Sequence, residues 1–221
     1  MTMNWRTTWA DTVRTEDDLI RFVNDVGCCV INTLPRFSEF PSQEVAMGLP
    51  DVLGRTWFWK DDLHIDRRIY YTRLFSGKPG FIALDLLPAF IATNGAVADE
   101  LMLTGAMPAN AQEIYRNIED RGPISTRHLK ALLGEDTRKA AANILIDLEN
   151  KFIVTKTQIT GRERGTYGYV WDLAERWMPD AFTAADCLGR KASAEQIKTR
   201  LTAFGITDIA SSTKRVLRWD K

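Results

Sequence analysis

The sequence is short of the residues on which disulfide frameworks, metal centres and nucleophilic active sites depend. Its 221 residues include three cysteines and two histidines. The odd number of cysteines, with Cys28 adjacent to Cys29, argues against a disulfide framework and for a reducing cytoplasm. The cysteines lack metal-ligand spacing, and no serine or cysteine is arranged with histidine in a catalytic pattern. The sequence therefore predicts no cofactor and no metal.

Long apolar runs are also missing. No run approaches the ~18 residues that cross a bilayer, and residues 1–11 contain no apolar core followed by a cleavage site. We therefore expect a cytoplasmic protein with no membrane partner. Nothing in the sequence specifies an oligomeric state.

The chain carries no net charge, because 29 basic residues balance 29 acidic ones. This balance argues weakly against indiscriminate nucleic-acid binding, but it is compatible with a localised nucleic-acid site. Basic residues become more frequent toward the C-terminus. In this region Ser193 and Gln196 form a capping-box pattern that predicts the start of a helix. A basic tail follows, with Lys214, Arg215 and Arg218.

Residues 1–106 are predicted to mix helices and strands. Thr15 and Asp18 form a capping-box pattern for a helix that ends at Gly27, and residues 28–31 suggest a buried strand. Residues 81–92 are apolar enough for a strand that leads into a helix. One apolar helix face is predicted from the spacing of Tyr70, Tyr71, Leu74 and Phe75.

Three polar residues alternate in this first region. Asp62, His64 and Asp66 would share one face of a strand, where they could hold a metal ion. They lie beside Arg67 and Arg68, so a solvated run of charges is the preferred interpretation.

Residues 109–179 contain the helix ends, the N-cap and the turn that are typical of a helix-turn-helix. Pro123 ends one helix, Ser125 is a suitable N-cap for the next, and Gly134 allows the turn into a third. The second helix has an apolar face of Leu129, Leu132 and Leu133.

The third helix is predicted over residues 137–150. Its outer face presents Arg138, Lys139 and Asn143. When a recognition helix enters the major groove, Arg138 and Lys139 suit phosphate or guanine, and Asn143 suits adenine. An exposed face with ordinary charges, or one that binds protein, is the alternative. Asp136 and Asp147 on this side count against strong DNA binding.

A two-stranded wing follows, with strands at residues 152–159 and 167–171. Lys156 lies in the first strand and is a further candidate for DNA binding. Arg162 and Arg164 lie at the apex of the glycine-bounded tip, residues 160–166, and suit a minor groove or phosphates. A solvated hairpin is the alternative.

Residues 167–179 resemble a signature of the winged-helix crosslink-repair DNA glycosylases, the AlkZ-like group. In that group an aromatic strand leads into a Leu-x-Glu-Arg-x-x-Pro turn, which matches Leu173, Glu175, Arg176 and Pro179 here. The resemblance covers residues 107–180 and, less closely, residues 15–50. It implies duplex DNA as partner and N-glycosylase chemistry on alkylated or crosslinked bases. Members have more winged helices and a barrel, so we expect a truncated relative.

The chain departs from this family at the catalytic Gln-x-Gln or Gln-x-Asp pair. The corresponding positions are Val30 and Asn32, so Asn32 is the one weak catalytic candidate. Valine cannot orient a water molecule, and asparagine is no general base. We therefore expect a DNA-binding protein without the catalytic pair. The alternatives are an active glycosylase with a base pocket near residues 57–59, and a winged helix that contacts protein, with residues 81–92 in the partner surface.

Taken together, these patterns predict an α+β, helix-rich fold with a central winged helix-turn-helix and a mixed α/β N-terminal region. We expect three domains: residues 1–106, the winged helix at 107–180, and a basic C-terminal helix and tail at 181–221.

Overall fold

A computed structural model describes residues 4–50, 52–217 and 219 and contains two small three-stranded antiparallel sheets among many helices. The predicted α+β, helix-rich class is confirmed. The chain divides into two compact units, residues 1–93 with 185–221, and residues 94–184. The predicted boundaries near residues 106 and 180 stay a prediction.

The helices and strands of the described residues follow one another along the chain. The first half contains α1 (Trp5–Trp9), α2 (Glu16–Val26), β1 (Cys28–Val30), α3 (Gln43–Met47), α4 (Val52–Thr56), α5 (Trp59–Ile65), β2 (Tyr70–Phe75), β3 (Lys78–Ile82), α6 (Leu87–Asn94) and α7 (Ala98–Leu103). The second half contains α8 (Ala109–Arg121), β4 (Ile124–Ser125), α9 (Thr126–Leu132), α10 (Glu135–Asn150), β5 (Val154–Ile159), β6 (Tyr169–Leu173), α11 (Ala174–Trp177), α12 (Pro179–Asp186), α13 (Arg190–Ala203), α14 (Ile209–Ser211) and a π-helical turn (Ser212–Val216).

Helix α2 begins and ends where the sequence predicts. The Thr15 hydroxyl accepts a hydrogen bond from the Asp18 amide at 3.2 Å, and the Asp18 carboxylate accepts one from the Thr15 amide at 3.0 Å. These two bonds satisfy amides that the first helical turn leaves without partners. Gly27 ends the helix with a φ of 84°, which favours glycine, and the buried strand β1 follows.

The prediction of a helix over residues 70–75 is wrong. These residues form β2, which pairs with β3 so that Tyr70 lies opposite Ile82. Both faces of β2 are largely buried, so its apolar residues do not alternate with polar ones. A short apolar run of this kind cannot be distinguished from a buried helix by its period.

The strand on which Asp62, His64 and Asp66 would share a face does not form, because residues 59–65 form helix α5. His64 is buried, and its Nδ1 accepts a hydrogen bond from the Tyr71 amide at 3.1 Å. Across the described part of the chain, no group of three or more acidic, histidine or cysteine side chains is arranged to hold a metal ion.

The apolar block at residues 81–92 forms core and leaves little surface for a partner. Phe81, Ile82, Leu87 and Phe90 are all fully buried in β3 and α6. The suggestion that this block contacts another protein is therefore wrong, since its large apolar side chains are buried within the chain itself.

The C-terminal helix α13 starts earlier than predicted. Its N-cap is Gly189, and Ser193 lies buried inside the helix, so the predicted capping box of Ser193 and Gln196 does not form. Lys214 and Arg215 lie exposed in the π-helical turn, whereas Arg218 is outside the described residues. No helix in the described ranges has both the length and the apolar character needed to cross a bilayer.

In the second unit, helices α8, α9 and α10 pack on one face of a sheet with strand order β4-β6-β5. The Ser125 hydroxyl caps α9 by accepting from the His128 amide at 3.2 Å, as predicted. The core is built from residues of all three helices and of β6, including Ile114, Ile118, Leu129, Leu145 and Trp171. Leu132, predicted to face this core, is largely exposed.

Candidate nucleic-acid interface

The loop between β5 and β6 forms an ordered hairpin tip, residues 160–168. The Thr160 amide donates to the Gly168 carbonyl at 2.8 Å and closes the base of the loop. At the apex the Glu163 carbonyl accepts from the amides of Thr166 and Tyr167, both at 3.1 Å. These bonds fix the backbone of the tip.

Arg162 and Arg164 flank Glu163 at this apex, and both are exposed. Gly165 follows with a φ of 92°, a conformation that favours glycine, and a Cβ there would meet no atom within 4 Å. The predicted arginines are therefore held on a fixed turn at the surface of the second unit. Their two positive charges exceed the one negative charge of Glu163, so the apex is positive.

The predicted side chains of α10 also lie on an exposed face. Arg138, Lys139 and Asn143 are exposed, and residues 139 and 143 share a face because they are four apart. The Arg138 guanidinium donates to the Leu133 carbonyl at 2.9 Å. The Lys139 ammonium lies 2.7 Å from the Glu135 carboxylate, with exposed fractions of 69% and 78%, so this ion pair can be exchanged for another at little cost.

The beginning of α10 is acidic. Glu135 and Asp136 occupy its first turn, where negative charge stabilises the helix dipole but opposes a phosphate backbone. The α8 residue Glu113 holds this end of the helix: its carboxylate accepts from the Thr137 hydroxyl at 2.5 Å and from the Gly134 amide at 2.9 Å. These two hydrogen bonds hold the pKa of Glu113 below its usual value.

Lys156 does not reach the surface. Its ammonium forms a buried ion pair with Glu149 of α10 and lies 5.0 Å and 5.4 Å from the ring centroids of Tyr169 and Trp171. A lysine in this position contributes to the interior of the unit and offers no charge to an external phosphate. Lys156 is therefore not part of the interface.

An open cleft of about 750 Å³ lies between α9 and the hairpin tip. Helix α9 contributes Thr126, Arg127 and Lys130, and the hairpin contributes Tyr167 and Tyr169. No sequence pattern predicted this cleft, because its two walls are far apart along the chain. The available signal was the spacing of Arg127 and Lys130, which places two cations on one side of a helix.

The Thr126 hydroxyl forms hydrogen bonds that connect the two walls of this cleft. Thr126 Oγ1 accepts a hydrogen bond from Trp171 Nε1 at 2.9 Å and donates to the Tyr169 carbonyl at 2.9 Å. The first turn of α9 is thereby fixed to strand β6. Both walls belong to the second unit, so the cleft is a preformed feature of that unit.

A family model described as AlkZ related matches residues 13–218. The chain belongs to the AlkZ-related family. Searches of curated proteins and of solved structures find no match. Membership relates the chain to DNA repair glycosylases, and this agrees with the resemblance found in residues 167–179.

The signature turn of this AlkZ-related chain has a structural role. The Arg176 guanidinium donates to the Glu119 carbonyl at 3.0 Å and lies 3.3 Å from the Asp172 carboxylate. It therefore satisfies the C-terminal end of α8, where helix carbonyls lack partners and a positive charge is favourable. Trp177 of the same turn is buried. Arg176 of this motif thereby joins α11 to α8 and to strand β6.

The two positions that the resemblance assigns to the family's catalytic pair, Val30 and Asn32, differ in environment. Val30 is fully buried in β1, whereas Asn32 is exposed just after the strand. The fold brings a carboxylate to this loop that no sequence pattern predicted: Glu44 of α3 accepts from the Thr33 amide at 2.6 Å. The same loop is held by the Thr33 and Ser42 hydroxyls, 3.0 Å apart.

The first unit also contains a cavity of about 400 Å³ beside the aromatic block. It is lined by Trp59, Thr56 and Arg55 together with Arg14 and Met47. Asp11 also lines the cavity, and its carboxylate lies 2.8 Å from the Arg14 guanidinium. Trp59 is the member of the predicted aromatic block that lines this cavity.

Proposed function

We propose that this AlkZ-related protein binds duplex DNA through its second unit, acting as a winged helix-turn-helix. The succession of α8, β4, α9, α10 and the β5–β6 hairpin supports this assignment, since it is the element order of that motif. In this arrangement α10 is the recognition helix, and the hairpin is the wing. The major groove admits an α-helix, and its N-terminal turns reach the bases.

The observation that carries the proposal is the pair of exposed arginines, Arg162 and Arg164, on a fixed hairpin tip. Arginines in this position meet phosphates or a narrow minor groove while the helix occupies the adjacent major groove. Arg138, Lys139 and Asn143 form the second part of the interface. Because Glu135 and Asp136 oppose the phosphates beside them, the tip supplies most of the affinity.

We further propose that this protein binds DNA without glycosylase chemistry at Val30 and Asn32, the positions assigned to the family's catalytic pair. A glycosylase must orient and activate a water molecule against an extruded nucleotide. The burial of Val30 and the amide of Asn32 support this view, because neither side chain can act as a base.

Fluorescence anisotropy with a labelled blunt duplex tests the binding proposal. The logarithm of the association constant is expected to fall linearly with the logarithm of salt concentration, with a slope of about −0.9 for each phosphate neutralised. Binding that is undetectable or insensitive to salt at every concentration would contradict the proposal. A scrambled duplex of the same length should bind comparably, since phosphate contacts carry no sequence information.

A second candidate is an active glycosylase in the first unit. The cavity beside Trp59 favours it, as does the Glu44 carboxylate, which accepts from the amide of Thr33. The test is chromatographic measurement of free base released from an alkylated duplex. Release by the wild-type protein that disappears in Glu44→Gln would establish this function. No release by a protein that still binds the duplex supports binding alone.

A further inference from the structure

We propose that the cleft between α9 and the hairpin tip binds an unpaired nucleotide, so that the preferred ligand is duplex DNA with a single-stranded segment. This inference rests on the proposed DNA-binding function and names the kind of DNA that the second unit selects. Its basis is the chemistry of the two cleft walls, one aromatic and one cationic.

The hairpin wall presents aromatic rings. Tyr167, Tyr169 and Trp171 alternate along the chain, so their side chains lie on one side of the strand. Neighbouring ring centroids are 5.5 Å and 6.0 Å apart in edge-to-face geometry. Trp171 is buried and anchors this row, whereas Tyr167 and Tyr169 are half-buried and line the cleft. Each base has a π-face, so a partly exposed tyrosine ring can stack with any base.

The α9 wall presents cations. Arg127 is exposed, Lys130 is half-buried, and both line the cleft from the same side of their helix. No carboxylate lines the cleft among the residues that the structure describes. The ligand that matches this pair of walls is therefore anionic on one side and planar on the other. A nucleotide has both properties, with its phosphate toward α9 and its base toward Tyr167.

The dimensions and rigidity of the cleft fit such a ligand. Its volume of about 750 Å³ falls within the roughly 300–1,000 Å³ of small-molecule sites. The bonds of the Thr126 hydroxyl hold α9 against β6, so little ordering is required when the ligand binds. A paired base cannot enter, because its faces are covered by stacking in the duplex. An intact duplex would therefore leave the tyrosine wall unused.

The test compares two labelled probes by fluorescence anisotropy at one salt concentration. One probe is a blunt duplex, and the other is the same duplex with a single-stranded overhang of thymidines. The wild-type protein should bind the overhang probe at least about fivefold more tightly, as expected for one stacked base. In Tyr167→Ala this ratio should fall to about one. Tyr167→Phe keeps the ring and loses the hydroxyl bond to Tyr169, so it should keep the ratio.

The outcomes separate this inference from the proposed function. Equal affinity of the wild-type protein for both probes would overturn the unpaired-nucleotide site while duplex binding stands. A ratio that persists in Tyr167→Ala would overturn it as well. Failure to bind either probe would overturn both proposals. Arg127→Gln is an independent variant on the opposite wall, and it should also reduce the ratio; an unchanged ratio would overturn the placement of the phosphate at α9. Circular dichroism melting of each variant identifies any loss of folding.

Discussion

Lys156 forms an ion pair with Glu149 in the interior of the second unit, where the two side chains are 6% and 0% exposed. The pair joins β5 to α10, and the Lys156 ammonium lies near the faces of two aromatic rings. The Glu149 carboxylate depends on this pair, because without Lys156 its charge would be buried and uncompensated.

We therefore predict that Lys156→Met destabilises the protein by about 3–5 kcal/mol, since it leaves the Glu149 carboxylate buried and unpaired. The double variant Lys156→Met with Glu149→Leu should recover most of this loss. Urea unfolding measures both effects. A matched control is Lys151→Met, which breaks the exposed pair with Asp147 and should cost less than about 1 kcal/mol. If Lys156→Met and Lys151→Met lose the same free energy of unfolding, burial is not what makes the Lys156–Glu149 pair important.

The hairpin arginines provide the second prediction. Arg162→Ala combined with Arg164→Ala should weaken duplex binding and make its salt dependence shallower by about 0.9 for each phosphate that the variant no longer neutralises. The control is Arg116→Ala with Arg121→Ala, which removes the same charge from exposed positions on α8. Anisotropy titrations over a salt series measure both slopes. If the two double variants have the same slope, the hairpin tip does not bind the phosphates.

Local sequence signals located many elements correctly. Thr15 with Asp18 and Ser125 predicted helix starts, because a cap depends on residues within one turn of each other. The helix assigned to residues 70–75 failed, because tertiary contacts bury both faces of β2. The burial of Lys156 could not be predicted for the same reason: the Glu149 carboxylate and the Tyr169 ring come together around it only in the folded unit. The arginines of the tip were identifiable since a glycine-bounded turn projects its apex to solvent. The α9–hairpin cleft was not, because no local pattern records the approach of two distant segments.

The capping box of α2 gives a prediction about pH. Hydrogen bonds from the Arg14 amide, and then from the Thr15 hydroxyl and amide, lower the pKa of Asp18 from 3.8 to about 2. Because the folded-state pKa is depressed, the stabilisation is present above the unfolded value and is lost as the pH falls from 3.8 toward 2. The difference in melting temperature between the wild-type protein and Asp18→Asn should therefore shrink across this window. A difference that stays constant with pH would show that the charge of Asp18 is not what stabilises the helix.

The Thr126 hydroxyl gives the last prediction. It accepts from the buried Trp171 indole and donates to the Tyr169 carbonyl, so its removal leaves a buried donor without a partner. Thr126→Val preserves the shape of the side chain and should cost about 1–3 kcal/mol, measured by urea unfolding. Thr126→Ser retains the hydroxyl and should cost clearly less. Because the same hydroxyl holds α9 against β6, Thr126→Val should also lower the preference for the overhang probe, while Thr126→Ser should keep it. Full stability in Thr126→Val would show that the hydroxyl does not hold the two cleft walls together.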